Sequence, residues 1–225
     1  MGTFTLSKTN RLFWLGRYVE RTYIAIELME KAYDESIDGP AFDYATYCDL
    51  LSIPADYRDV DHFLSSYLFD AKNPDSATSA LNMAFDNAVV LRETLGSMTL
   101  SYIQLAKNVM DGAVISMAPM LDLQTVQDYL MAFKGCVDDF VQDENSRMCV
   151  KIGMTAERID MSLRLDYKTS DLQVHFERLL SRLRRSKIPR DGKQLQLLLD
   201  LVPSSNILQN REILLECLEK LFPDA

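Results

Sequence analysis

The chain has 225 residues, of which 48% are hydrophobic and 25% are charged, a composition typical of a globular protein with a sizeable core. Its 24 lysines and arginines against 33 aspartates and glutamates give a net charge of −9, which argues against a general binder of nucleic acid or anionic membranes. No stretch has the roughly 18 uninterrupted apolar residues of a membrane span, and the first residues lack the apolar centre of a signal peptide, so we expect a cytoplasmic protein.

Hydrophobic residues recur at helical spacing along nearly the whole chain, with turn residues between the segments. Ser7 or Thr9 can cap a first, long helix that ends near Asp34. Gly96 is expected to break or kink the chain between two later helices, and the small, apolar stretch 112–119 is interpreted as a buried turn or connecting loop. The predicted helical segments, in chain order, are 7–34, 42–53, 59–68, 76–95, 97–109, 121–141, 144–167, 170–185, 195–202 and 212–222.

One short pattern, Gly-x-x-x-Glu-Arg, occurs twice, at residues 16–21 and again at 153–158. Each copy lies inside a long run without proline, and the glycine precedes the glutamate by one helical turn on the same side. A glycine inside a helix costs about 1 kcal/mol relative to alanine. Its recurrence at the same offset therefore indicates that a neighbouring helix or a ligand passes close to the backbone at both places.

Strands are not expected, because alternating apolar and polar runs bounded by turn residues are essentially absent. No low-complexity segment or flexible linker divides the chain either. We therefore predict an all-α fold, a single-domain helical bundle over residues 1–225 in which the two long motif helices pack together.

The motif glutamates lie among apolar neighbours on their helices, so each carboxylate must be paired or hydrogen-bonded. We expect the two motif helices to pack side by side, with the glycines permitting the close approach. The predicted pairs are Glu20 with Arg158 or Arg164, and Glu157 with Arg17 or Arg21.

Two interpretations of this cluster stay open. It is either a structural network that locks the helices in register, or a pocket for a polar, amino-acid-like or phosphorylated ligand. Metal binding is disfavoured, because several arginines in the same neighbourhood oppose a cation. The pocket would be lined by Glu20, Glu27, Glu157 and Asp160, together with Arg17, Arg21 and Arg164.

Cysteine and histidine chemistry receives no support from the sequence. The cysteines are widely spaced, without a C-x-x-C pair or a nearby histidine, which favours buried, reduced thiols. Neither His62 nor His175 lies in the Glu-x-x-His arrangement of a di-iron bundle. No nucleophile elbow, phosphate-binding glycine loop or zinc signature occurs, so no cofactor is expected. The four cysteines are Cys48, Cys136, Cys149 and Cys217.

Three separated blocks of the chain together resemble the bacterial alpha-E family, uncharacterised helical proteins named for a Glu-Arg motif. The first block is Trp14-x-Gly16-Arg17-Tyr18-x-Glu20-Arg21, and the second is Ala84-x-x-Asn87-Ala88-x-x-x-Arg92. The third is Ile152-Gly153-x-x-x-Glu157-Arg158-x-Asp160-Met161-x-x-Arg164-x-Asp166. The blocks span most of the chain in the expected order. The middle block differs from the usual pattern, because residues 84–90 are poorer in arginine and acidic residues.

The resemblance implies an all-helical fold and a gene neighbourhood with circularly permuted ATP-grasp amide ligases and transglutaminase-like peptidases. It thereby implies a role in making or processing peptide-like conjugates. The family's signature residues would be Trp14, Gly16, Arg17, Tyr18, Glu20, Arg21, Asn87, Arg92, Gly153, Glu157, Arg158, Asp160 and Arg164.

These observations leave three functions open. The chain could be an accessory or substrate-holding protein of an ATP-grasp ligase that takes an amino-acid or peptide ligand. It could be an enzyme with Glu20 or Glu157 as general acid or base. It could also be a purely structural interaction module.

One further anomaly is a basic segment, residues 178–193, with seven basic residues against one acid. It is either a helix end whose cations favour the helix dipole, or a docking patch for an acidic partner or a phosphate group.

Overall fold

The computed structural model of the chain describes residues 6–40, 42–165, 169–202 and 207–222. Within these ranges it contains ten α-helices and a short 3-10 helix, Leu208–Asn210, and no strand. The all-α prediction is confirmed. The helices are α1 Leu6–Asp38, α2 Tyr44–Leu51, α3 Val60–Phe69, α4 Ala77–Val90, α5 Arg92–Ala113, α6 Pro119–Phe140, α7 Glu144–Arg164, α8 Thr169–Arg185, α9 Gly192–Leu201 and α10 Arg211–Glu219.

The chain groups into two compact units. Unit 1 comprises Met1–Arg17 and Asp143–Ala225, and unit 2 comprises Tyr18–Gln142. The boundary between them falls within α1, one residue after the first motif glycine. The assignment of one domain to residues 1–225 stays a prediction.

Unit 1 is organised around α7, which is buried along almost its whole length. The helix begins at an N-cap, Asp143, whose carboxylate accepts a hydrogen bond from the backbone nitrogen of Ser146 at 2.8 Å. Helices α8 and α10 pack against α7. Phe13, from the beginning of α1, lies against Phe222 with the ring centroids 4.7 Å apart. These contacts place the first motif copy's glycine on the buried helix that carries the second copy.

Unit 2 contains an aromatic cluster centred on Phe63 of α3. Its ring stacks on Tyr44 and Tyr67, with centroids 5.4 Å and 5.3 Å away. The Tyr47 hydroxyl donates a hydrogen bond to the Tyr67 hydroxyl, and burial raises the pKa of Tyr67 to about 12. The most extensive helix packing in this unit is between α5 and α6, which form a helical hairpin.

Most predicted boundaries are within a few residues of the observed ones, and Gly96 interrupts the helical backbone as predicted, with φ 78° and ψ 159°. Two predictions were wrong. The segment 76–95 is not continuous, because the helix ends at Val90 and a new one begins at Arg92. The stretch 112–119 is a turn at the end of the α5–α6 hairpin but is not buried, since Ile115 and Met117 are almost fully exposed. The predicted helix end at residue 167 lies outside the residues described.

The four cysteines are free and buried, as predicted. Burial raises the pKa of the Cys149 thiol well above its usual range. No helix among the described residues is both long and apolar enough to cross a membrane.

Candidate functional site

The two motif glycines lie where α1 crosses α7 in unit 1. A Cβ atom built on either glycine would overlap the carbonyl oxygen three residues before the other one, Val150 for Gly16 and Phe13 for Gly153. The reciprocal contacts give the crossing a local two-fold symmetry. The prediction that the backbone is closely approached at both glycines is therefore confirmed, and the neighbour is a helix in both cases.

Beside this crossing, Arg17 of α1 binds two carboxylates of α7. Its Nε donates to Glu157 Oε2 at 2.5 Å, and its Nη2 donates to Asp160 Oδ2 at 2.9 Å. The side chains are buried, with only 3% of Arg17 and 1% of Glu157 exposed. A buried charge is tolerated when it is paired and hydrogen-bonded, and the arginine satisfies both conditions for two acids at once. The predicted pairing of Glu157 with Arg17 is confirmed.

Aromatic rings from the preceding turn of α1 cover the guanidinium of Arg17. Its Cζ lies 4.9 Å from the ring centroid of Trp14 and 5.9 Å from that of Phe13. The negative face of an aromatic ring attracts a cation, more strongly where water is excluded. The Trp14 ring therefore covers the ion pair. This contact accounts for an aromatic residue at position 14, so no ligand is needed to explain it.

Asp160 connects the buried pair to the surface. Its Oδ1 accepts from the Nε of Arg164 at 2.6 Å, and the Arg164 side chain is 29% exposed. Two arginines and two acids are therefore joined in one network of ion pairs within unit 1. The attraction between opposite charges offsets the cost of burying Arg17 and Glu157.

A second polar contact fixes α8 against the same helix. The Nη1 of Arg182 donates to the carbonyl oxygen of Lys151 at 2.7 Å and also to the hydroxyl of Thr155. Arg182 belongs to the basic segment 178–193, and so does Arg190, which donates to the Ser186 hydroxyl at 3.3 Å. These two basic residues serve the fold, whereas the other five are exposed: Arg178, Arg184, Arg185, Lys187 and Lys193.

The glutamate of the first motif copy, Glu20, lies in unit 2 and has a different kind of partner. The Nζ of Lys134, on α6, lies 2.8 Å from Glu20 Oε2, and the same Nζ lies 4.1 Å from the ring centroid of Tyr23. Glu20 is 5% exposed at its side chain and Lys134 is 20% exposed. The expected pairing of Glu20 with Arg158 or Arg164 would join residues of the two units, and it stays a prediction.

The other residues predicted to form the site differ in their exposure to solvent. Glu27 and Arg92 are exposed, whereas Tyr18, Arg21, Asn87 and Arg158 are partly buried. The Arg21 guanidinium lies over the Tyr18 ring at 6.0 Å from its centroid. The assignment of these side chains to one binding site stays a prediction. Among the described residues, no group of three or more His, Cys, Asp or Glu side chains is placed to hold a metal ion.

Sequence reasoning missed Lys134, Tyr23, Arg182 and Thr155. Lys134 is the one basic residue of α6, and Arg182 is one of four arginines on α8; a cation on such amphipathic helices normally faces solvent. No local signal distinguishes a lysine that reaches a buried carboxylate from one that does not.

No curated protein and no solved structure matches the chain. A family model does match: Alpha-E, described as a predicted alpha-helical domain with a conserved ER motif, covers residues 6–212. Those residues include both copies of the Gly-x-x-x-Glu-Arg pattern and nearly all the described helices. The chain therefore belongs to the Alpha-E family.

Proposed function

We propose that the chain is an accessory helical protein that acts with an ATP-grasp amide ligase in the synthesis or processing of peptide-like conjugates. In this proposal the glutamate-arginine cluster is the framework of the fold, and the partner enzyme supplies the chemistry. The partner class comes from the family resemblance, which implies a shared gene neighbourhood with such ligases.

The observation that carries the non-catalytic part is the state of Glu157. It is 1% exposed and held by Arg17 at 2.5 Å. A general acid or base must reach a substrate proton within hydrogen-bond distance, directly or through one water. A carboxylate already bound to a buried arginine is better suited to holding two helices together than to proton transfer.

Reconstitution with the ATP-grasp ligase from the same genome tests this function. Purified chain and ligase are mixed, complex formation is followed by size-exclusion chromatography, and ADP release is measured with amino-acid and short-peptide acceptors. We expect a complex, a higher ligase rate in its presence, and no reaction by the chain alone. Turnover of a peptide substrate by the chain alone, lost in Glu20→Gln or Glu157→Gln, would instead establish the enzymatic alternative.

A thermal-shift screen separates the substrate-holding version from a purely structural cluster. Amino acids and short peptides are added to wild type and to Arg17→Lys, which keeps the charge but alters the bidentate geometry. If the cluster is framework, no ligand raises the melting temperature and the variant melts earlier. A ligand that stabilises wild type alone would make the cluster a binding site.

A further inference from the structure

Unit 2 carries a groove that lies away from the glutamate-arginine cluster in sequence and in chemistry. Its volume is about 370 Å³, and its lining is almost entirely apolar. The walls come from three places: Tyr33 of α1, Leu64 and Phe69 of α3, and the segment from Met117 to Leu121 at the beginning of α6. Phe69 is the last residue of its helix, so the groove opens where α3 ends.

Three of the lining residues are strongly exposed for apolar or aromatic side chains. Met117 is 103% exposed, Leu121 is 67% exposed and Tyr33 is 45% exposed. Two apolar residues of the hairpin turn just before Met117 in the chain, Val114 and Ile115, are also exposed. Single exposed apolar residues are ordinary, but a contiguous group around a concave surface marks a place where another molecule binds.

Acidic residues flank the lining residues of this groove in the chain, and helical periodicity puts two of them, Glu30 and Asp61, on the same helix faces as lining residues. Glu30 lies one helical turn before Tyr33, Asp61 one turn before Leu64, and Asp122 directly follows Leu121. Asp34 and Asp70 adjoin lining residues in the chain as well. Among described side chains within four residues of the lining, these five carboxylates stand against two lysines, Lys31 and Lys72.

Neighbouring acidic residues shift the pKa of one of these carboxylates, Glu30. The pKa of Glu30 is raised above its usual value of 4.5 by burial and then by the negative charges of Asp34 and Glu27. A cation placed beside Glu30 and Asp34 would therefore be attracted by both carboxylates. An apolar floor with an acidic rim complements a segment that combines bulky apolar side chains with lysine or arginine.

We propose that this groove binds an amphipathic helical segment of a partner protein, with one or two bulky apolar side chains seated between Tyr33 and Leu121 and with lysines or arginines facing the acidic rim. The volume matches one or two such side chains, and helix-in-groove recognition uses apolar anchors of this kind. The acidic rim repels nucleic acid and anionic lipid. The inference rests on the proposed function, since it gives the partner of an accessory protein a place to bind.

A pair of designed peptides tests the groove directly. Both are fluorescein-labelled 18-residue helices with the same leucine face; one has lysines on the polar face and the other has glutamates. Binding to the whole chain is followed by fluorescence anisotropy. We expect the lysine peptide to bind at least about tenfold more tightly than the glutamate peptide, and its affinity to fall as salt rises.

Matched variants locate the binding. The double variant Met117→Ser with Leu121→Ser removes two exposed apolar anchors and should weaken the lysine peptide about tenfold or more. Met131→Ser removes another exposed apolar side chain of α6, 52% exposed against 67% for Leu121, from outside the groove lining, and should leave binding unchanged. Equal binding of both peptides, or undiminished binding to the double variant, would overturn the proposal.

Self-association and partner binding are separated in the same set of proteins. If light scattering shows a concentration-dependent dimer for wild type and a monomer for the double variant, a second copy occupies the groove and the proposal is wrong. If the double variant still forms the ligase complex fully, the groove inference fails while the accessory function stands. If the lysine peptide binds the groove but no ligase complex forms, the groove stands and the accessory function fails.

Discussion

The two copies of Gly-x-x-x-Glu-Arg have the same residues at the same spacing, but their glutamates are held in different ways. Glu157 is bound by a buried arginine that it shares with Asp160. Glu20 is bound by a lysine that is partly exposed and also lies against an aromatic ring. The glycines, in contrast, make equivalent contacts with each other's helix.

This difference separates two roles inside one motif. The glycine is required by backbone geometry, so both copies use it identically. Each glutamate has a cation beside it, but from a different element: Arg17 of α1 for Glu157 and Lys134 of α6 for Glu20. Repetition of a motif therefore predicts repetition of its packing more securely than repetition of its electrostatics.

The largest effect is expected from Arg17→Met, which leaves Glu157 and Asp160 buried and close together without their shared cation. Removing one partner from a buried ion pair costs about 3 to 5 kcal/mol. The free energy of unfolding, measured by urea denaturation, should fall by that amount. Arg164→Met is the control, because its partly exposed pair with Asp160 should cost no more than about 1 kcal/mol. Equal losses in the two variants would mean that burial of Arg17 does not increase the contribution of its ion pairs to the free energy of unfolding.

Substitution of either glycine should test the symmetry of the crossing. Gly16→Ala and Gly153→Ala each place a Cβ on a carbonyl oxygen, so the helices must separate, at a cost of about 2 to 3 kcal/mol by overpacking. The two losses should agree in size, as seen by urea denaturation. Gly135→Ala is the matched control: nothing lies within 4 Å of its added Cβ, and helix propensity should raise stability by about 0.5 to 1 kcal/mol.

Lys134→Met sharpens the contrast between the two glutamates. It removes the cation beside Glu20 while keeping the length of the side chain, and loss of a hydrogen bond to a charged group costs about 1.5 to 3 kcal/mol. Because Lys134 is itself partly exposed, we expect the lower end of that range, measured as a shift in the urea midpoint. A loss as large as that of Arg17→Met would remove the distinction drawn between the copies.

The smallest effect concerns Glu30, an α1 glutamate whose nearest charges are acidic. Its pKa is raised in the folded state, so ionisation opposes folding above the folded pKa, and stability rises as the pH falls from that value towards 4.5. Glu30→Gln should therefore be more stable than wild type at pH 7, and the difference should disappear near pH 4. Asp34→Asn should reduce the benefit of Glu30→Gln, because it removes one of the charges that raise the pKa.

The sequence allowed the helices, the close approach at the glycines and the Glu157–Arg17 pair to be predicted, because each depends on spacing within a helix or on a rule about buried charge. It did not allow Lys134 to be predicted beside Glu20, since this lysine reaches the glutamate from a helix far along the chain. The stretch 112–119 was misjudged for a similar reason. Its apolar composition favours burial, but its exposure follows from where the hairpin turn ends. No glycine or proline lies at the break after Val90, so the sequence gives no signal for it.

The pair between Arg17 and Glu157 cannot form until most of the chain has been translated. The two residues are 140 positions apart, which at 5 to 20 residues per second corresponds to roughly 7 to 30 s of translation. Throughout that interval α7, which Phe13 and Gly16 of α1 contact closely in the finished protein, has not been synthesised. During translation the apolar residues at the start of α1 therefore remain exposed until α7 has been synthesised. Unit 1 is most prone to aggregation in this period.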